Sequence, residues 1–94
     1  MKFEWDNKKA ESNLKKHAVS FEEAESAFGD PHAALFPDKD HSIEEKREII
    51  ITYSNRQRLL VISFTKRPGD VVRIISVRRA DREELRNQEN ERNG

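Results

Sequence analysis

The sequence predicts an α+β fold: an antiparallel sheet with two N-terminal helices packed on one face and a third helix at the C-terminus. Three observations carry this. Two helix starts with side-chain caps, Asp6 and Ser20, lie close together near the beginning of the chain. Three runs rich in Ile, Val, Leu and Phe crowd the second half, at Arg47–Tyr53, Arg58–Thr65 and Val71–Val77. The links between those runs are of hairpin length, which suits antiparallel neighbours and leaves no room for crossover helices. The expected order is β-α-α-β-β-β-β-α.

Taken in order, Lys2–Trp5 places aromatics on alternate positions, Phe3 and Trp5, which suggests a first strand. Asp6 then caps a helix over about Asn7–His17, its carboxylate accepting from free amides. Ala10 and Leu14 give that helix a narrow inward stripe, and Lys15, Lys16 and His17 place positive charge at its C-terminal dipole end. Ser20 with Glu23 reads as a capping box, with Val19 as the staple residue, opening a second helix. Phe21, Ala24 and Phe28 fall at i, i+3 and i+7 and face the core, and Gly29-Asp30-Pro31 stops the helix. His32–Phe36 can form a short second strand, and Pro37–Glu45 is a polar connection.

In the strand-rich half, Arg67-Pro68-Gly69-Asp70 has Pro at i+1 and Gly at i+2, the signature of a type II turn. If Arg67 lies opposite Asp70, Val61, Ser63 and Thr65 share a face with Val72, Ile74, Ser76 and Arg78. Leu60, Ile62, Phe64, Arg73, Ile75 and Val77 then take the other face. In that flat hairpin Arg67 and Arg78 stand about 26 Å apart at 3.3 Å per residue. Asp81 with Glu84 is a further capping pair, starting a last helix with one large apolar residue, Leu85, so little holds that helix to the core.

Size and composition limit what such a fold can do. At 94 residues one domain is expected, and a chain of this size buries only about 60–65% of the surface its unfolded form exposes. Hydrophobic residues make up 34% and charged residues 38%, so the core is small and cannot enclose a large cofactor. The absence of cysteine excludes disulfides, thiolate zinc sites, iron–sulfur clusters and a Cys nucleophile. The apolar runs Ile49–Ile51 and Leu59–Ile62 fall far short of the roughly 20 residues that span a bilayer. The opening residues lack the apolar stretch of a signal peptide, so a soluble, cytoplasmic protein without membrane contact is expected.

Charge is uneven although the formal net is zero. Residues 1–45 carry a net of −5, residues 46–82 a net of +7 and residues 83–94 a net of −2. The basic stretch holds Arg58, Lys66, Arg67, Arg73, Arg78, Arg79 and Arg82. Guanidinium forks match phosphate geometry and stay charged at any working pH, so a polyanion is one reading and solvated strand charges are the other. Lys16-His17 is a second candidate, because imidazole moves protons near neutral pH, though a His at a helix end can be a dipole partner and nothing more. Glu84 could serve in proton transfer or only as a cap. Asp38, Asp40, His41, Glu44 and Glu45 could gather on a divalent ion, but their spacing fits neither an EF-hand loop nor a zincin, and no metal or other cofactor is assigned.

These residues together resemble a family. Phe3-Glu4-Trp5-Asp6, Lys9-Ala10, Asn13, Lys16-His17, Val19–Ala24, Phe28 and Asp30-Pro31 follow the pattern of the BrnT toxins, as do Asp40-His41-Ser42, Glu45 and Arg47. So do Arg58–Val61, Thr65 and Arg67, and Arg73-Ile74-Ile75-Ser76 with Arg78, Ala80 and Glu84. The resemblance implies a RelE-like toxin domain over residues 1–94 that cuts RNA without a metal and inhibits translation. It implies a cognate BrnA-like antitoxin with a ribbon-helix-helix domain, through which alone the toxin meets DNA. Carried over by position, Arg67 and Arg78 are the implied catalytic residues, with His17, Lys16 and Glu84 beside them. Arg58, Lys66, Arg73, Arg79 and Arg82 would then contact RNA. Two positions depart from the family pattern: Ala18 stands where Gly is usual, and Gln88 where an aromatic is common. An RNA- or antitoxin-binding module without catalysis, on the same fold, is the alternative.

Overall fold

The computed structural model describes residues 1–38 and 46–93, and for 88–93 the helical backbone alone. The elements are β1 (Lys2–Glu4), α1 (Asn7–His17), α2 (Phe21–Ala27), β2 (Ala34–Pro37), β3 (Arg47–Tyr53), β4 (Leu59–Arg67), β5 (Val71–Arg79) and α3 (Arg82–Asn93). Their order is the expected one. The strands form one sheet in the order β1-β5-β4-β3-β2. The ladders are antiparallel except for β1, which lies parallel to β5 with Phe3 beside Val72. That exception is open to β1 because a long stretch of chain separates it from its neighbour, as a parallel pair requires.

Local chemistry sets the helices. Asp6 accepts from the amides of Lys8 (2.8 Å) and Lys9 (3.3 Å), and these bonds hold its carboxyl below the usual range. Ala18 closes α1 in the left-handed conformation (φ 56°, ψ 33°), its amide donating to the Leu14 carbonyl. A Cβ at that position is strained by roughly 1 kcal/mol. Ser20 Oγ accepts from the Glu23 amide at 3.1 Å, one half of the expected capping box. The other half is missing, because the Glu23 side chain turns inward.

One face of the sheet receives α1 and α2. Val19, Phe21, Ala24 and Ala27 bury themselves on Ile50, Leu60, Ile62, Phe64, Val72, Ile74 and Val77. The Phe28 ring meets Phe3 and Phe64 edge-on at 5.1 and 5.2 Å between centroids, and Trp5 meets Phe21 at 5.9 Å. In α1 the expected stripe is corrected. Leu14 is 52% exposed, and the buried residue is Asn13. Its amide donates to the Val19 carbonyl and its Oδ1 accepts from the Val77 amide, both at 3.0 Å. Asn13 thus satisfies the stretch of β5 that β1 is too short to reach.

The β4–β5 hairpin departs from the expected register twice, and the second departure undoes the first. Arg67 pairs with Val71, so the loop is Pro68-Gly69-Asp70, one residue longer than a two-residue turn. Gly69 (φ 83°) and Asp70 (φ 59°) are both left-handed, and nothing crowds a Cβ at Gly69, so φ rather than space calls for glycine there. The added loop residue moves Val72 and Ile74 to the helix-covered face and Arg73 to the other. Between Ser63 and Phe64 the ladder shifts again, leaving Ile75 as the extra residue of a β-bulge. Ser76, Val77 and Arg78 therefore return to the faces first expected.

Candidate nucleic-acid interface

Among the described residues, no helix packs closely on the second face of the sheet. By register Arg67, Arg73, Ser76 and Arg78 share that face with Val61, Ser63 and Thr65. Arg78 lies opposite Val61 and Arg67 sits six residues further along β4, about 20 Å away at 3.3 Å per residue. The bulge and the longer loop bring the two arginines closer than a flat hairpin would. They still do not meet over one phosphate.

The Arg78 end is the more elaborate. Its two terminal nitrogens donate to the two oxygens of Glu84 at 2.8 and 2.9 Å, a bidentate fork. This hydrogen-bonded pairing holds Glu84 below the usual carboxylate range and draws Arg78 above its own ordinary value. Glu84 also accepts from the Asp81 amide, and its own amide donates to Asp81 Oδ1, each at 2.8 Å. The last capping box is therefore complete. Apart from this anchor, the described residues of α3 pack closely against no other element.

Near the same end, a shallow crevice of about 200 Å³ runs between α1 and the bulged stretch of β5. Lys9, Ser12, Asn13, Lys16, His17, Ile75 and Ser76 line it. Ser76 stands two residues before Arg78 on the same face, about 7 Å along the strand. Lys16 and His17 thus approach the Arg78 end and not the Arg67 end. Lys9 was not among the sequence candidates for catalysis or RNA contact, and nothing in a run of β-branched residues signals the bulge that sets Ile75 and Ser76 beside α1.

Arg67 belongs to a separate cleft of about 450 Å³ at the far end, lined by Lys46, Glu48, Thr65, Lys66, Arg67 and Pro68. Lys66 Nζ stands 3.8 Å from Glu48, and Thr65 Oγ1 donates to the Lys46 carbonyl at 3.0 Å. Lys46 was not among the sequence candidates. The pairing of Arg47 with Thr65 is what sets it beside Lys66.

The remaining basic candidates divide. Arg58 is engaged within the fold. Its Nε donates to Glu23 Oε2 at 2.9 Å, a terminal nitrogen reaches Glu23 Oε1, and the same group donates to the Ala18 carbonyl. Glu23 is 5% exposed and also accepts from Ser54 Oγ at 2.7 Å, so Arg58 ties α2 to the start of β4. These partners, Arg58 first, hold Glu23 below its ordinary range. Arg73 pairs with Glu4 at 2.6 Å across the β1–β5 ladder. Arg79 and Arg82 are exposed at the end of β5 and the start of α3. Asp40, His41, Glu44 and Glu45 lie outside the described residues, as does the side chain of Gln88. No helix among the described residues is long and apolar enough to cross a membrane.

The pattern of these residues matches, over residues 5–84, the family described as the ribonuclease toxin BrnT of type II toxin–antitoxin systems. The chain belongs to the BrnT family. A 1.1 Å crystal structure of the Brucella abortus ribonuclease toxin BrnT is similar, with a TM-score of 0.68 and 26% identity. The match covers 87% of this chain and 99% of that one. No curated protein matches the chain.

Proposed function

We propose that this chain is the toxin of a type II pair and that it cuts RNA internally, without a metal ion, to stop translation. The observation that supports this most is that Lys16, His17 and Ser76 line one crevice, with Arg78 two residues further along β5. RNA carries its own nucleophile. The ribose 2′-oxygen bonds to the adjacent phosphorus, the bond from phosphorus to the 5′-oxygen breaks, and one proton leaves the 2′-OH while another reaches the departing oxygen. The ends are a 2′,3′-cyclic phosphate and a 5′-OH. In this reading Arg78 holds the non-bridging oxygens, Lys16 adds positive charge and His17 passes the proton. Glu84 is held as a carboxylate by Arg78, so it suits neither donor nor acceptor well. It instead keeps the guanidinium oriented until a phosphate replaces it. Arg67, too distant to share that phosphate, grips the strand elsewhere.

The partner is a BrnA-like ribbon-helix-helix antitoxin, and DNA is met only through it. An antitoxin that covers Arg78 would also stabilise this thinly packed fold by mass action. The test is cleavage of a ribo-oligonucleotide in EDTA, with an all-deoxy strand as control. Wild type cuts only the RNA, and both Arg78→Ala and Arg67→Ala lower the rate at least tenfold, Arg78→Ala through kcat and Arg67→Ala through KM, since about 1.4 kcal/mol of lost stabilisation is a factor of ten. Complete loss in EDTA, or undiminished rates in both variants, overturns the assignment. A second reading, an RNA- and antitoxin-binding module without turnover, is favoured by the filled fork of Arg78. It is distinguished by binding without product.

A further inference from the structure

The stripe of α1 that meets β5 is polar throughout. Lys9, Ser12, Asn13, Lys16 and His17 follow one another at i, i+3, i+4, i+7 and i+8, the spacing that ordinarily marks an apolar core face. Within this helix the buried residue is Asn13. Its Oδ1 accepts from the Val77 amide and its Nδ2 donates to the Val19 carbonyl, both at 3.0 Å, so both ends of the carboxamide are fixed. A backbone N–H of a strand points sideways in the plane of its sheet, and β1 pairs only with Val71, Val72 and Arg73. Asn13 therefore stands at the open edge of β5, between the two faces. From that edge α1 lines a crevice with Ser76, which by register points to the face away from the helices, with Arg78 two residues on.

We propose that Asn13 is a positioning residue for RNA cleavage, holding Lys16 and His17 of α1 at a fixed setting to Ser76 and Arg78 of β5. This rests on the reading of the Arg78 end as the site of the cut and deepens it. On the helix, Lys16 and His17 are i+3 and i+4 from Asn13, one turn on along the same face. On the strand, Val77 lies between Ser76 and Arg78 and is itself set opposite Ile62 in the ladder. One hydrogen bond thus ties the segment that bears the proton carrier to the segment that bears the phosphate grip. The bond to Val19 holds the chain just beyond His17, where Ala18 turns left-handed and Val19 enters the core. A leucine at position 13 would bury apolar area without direction, whereas a carboxamide with two bonds permits one register. Asn13 need touch no reacting atom. It sets where His17 waits when the phosphate arrives, and a misplacement of about 1 Å can cost on the order of a hundredfold in rate.

The test is a double-mutant cycle on the full chain, with kcat and KM measured on a ribo-oligonucleotide in EDTA for wild type, Asn13→Ala, His17→Ala and the double variant. Asn13→Ala lowers kcat by about tenfold or more with KM within about threefold. Once His17 is already Ala, the same change costs less than about threefold, because no proton carrier is left to misplace. A role confined to stability lowers kcat by the same factor in both backgrounds, and that result overturns the proposal. A second measurement needs no variant, and so decides the matter should Asn13→Ala not fold. Bound across α1 and β5, an uncleavable 2′-O-methyl dodecamer slows hydrogen exchange of the Val77 amide at least about tenfold more than that of Ile50 on β3. Equal slowing at the two amides overturns the proposal. If the wild type cuts nothing but Val77 is protected selectively, the catalytic reading fails and the tie between the two segments around bound RNA stands. If His17→Ala lowers kcat and the cycle is additive, cleavage at this end stands and the positioning role falls.

Discussion

Replacing Arg58 by Ala removes the partner of a carboxylate that has almost no access to water. The Glu23 side chain is 3% exposed and that of Arg58 21%. Without Arg58, Glu23 keeps one neutral donor, Ser54, and the surface cation Arg56 at 3.8 Å with 71% exposure, which water screens. Breaking a buried pair from one side costs about 3–5 kcal/mol. A domain of this length holds roughly 5–14 kcal/mol in total, and each kcal/mol moves Tm by about 4–8 °C. Arg58→Ala should therefore melt at least about 12 °C below wild type by circular dichroism at pH 7. The pH dependence has a definite sign. The folded Glu23 titrates below its ordinary value of 4.5, so its contribution is fully present above that pH and fades as acid protonates it in the fold. Protonation also relieves the orphaned carboxylate in Arg58→Ala, so the gap between the two proteins narrows below pH 4.5. A Tm within about 4 °C of wild type, together with weakened RNA binding, would refute the structural assignment of Arg58 and return it to the RNA surface.

Asn13→Ala leaves the Val77 amide and the Val19 carbonyl without a partner, at a cost of about 1–3 kcal/mol, and hydrogen exchange at Val77 should rise selectively. Ala18→Gly relieves a left-handed residue and should raise stability by up to about 1 kcal/mol in a urea melt, with no change in the protein's cleavage rate. Glu84→Gln frees the Arg78 fork. RNA affinity should rise, stability should change by no more than about 1 kcal/mol because the pair is partly exposed, and a fall in affinity would show that Glu84 does not compete with phosphate for Arg78.

Much of the fold was legible because it rests on local signals. Asp6, Ser20 and the Asp81–Glu84 pair mark helix starts through side chains that bond their own amides, and Phe21, Ala24 and Phe28 announce a buried stripe by spacing alone. What stayed hidden depends on pairs far apart in sequence. Asn13 reads as a solvent position until Val77 is known to need an acceptor 64 residues away. Arg58 reads as one more cation in a basic stretch until Glu23, which the capping pattern assigns to Ser20, turns to it. The faces of β5 were half legible: one added loop residue inverted Val72–Ile74, and the bulge at Ile75 restored Ser76–Arg78. A period-2 pattern registers neither change, since each moves every side chain beyond it to the other face. The separation of Arg67 from Arg78 follows directly from that register.

In the proposed mechanism the ribose at the cut supplies the nucleophile. An oligodeoxynucleotide bearing a single ribonucleotide, incubated with the protein at high concentration and analysed by mass spectrometry, isolates that step. The expected result is one cut, immediately 3′ of the ribose, yielding a 2′,3′-cyclic phosphate and a 5′-OH. Cuts at deoxy positions, or a 5′-phosphate at the new end, would contradict it.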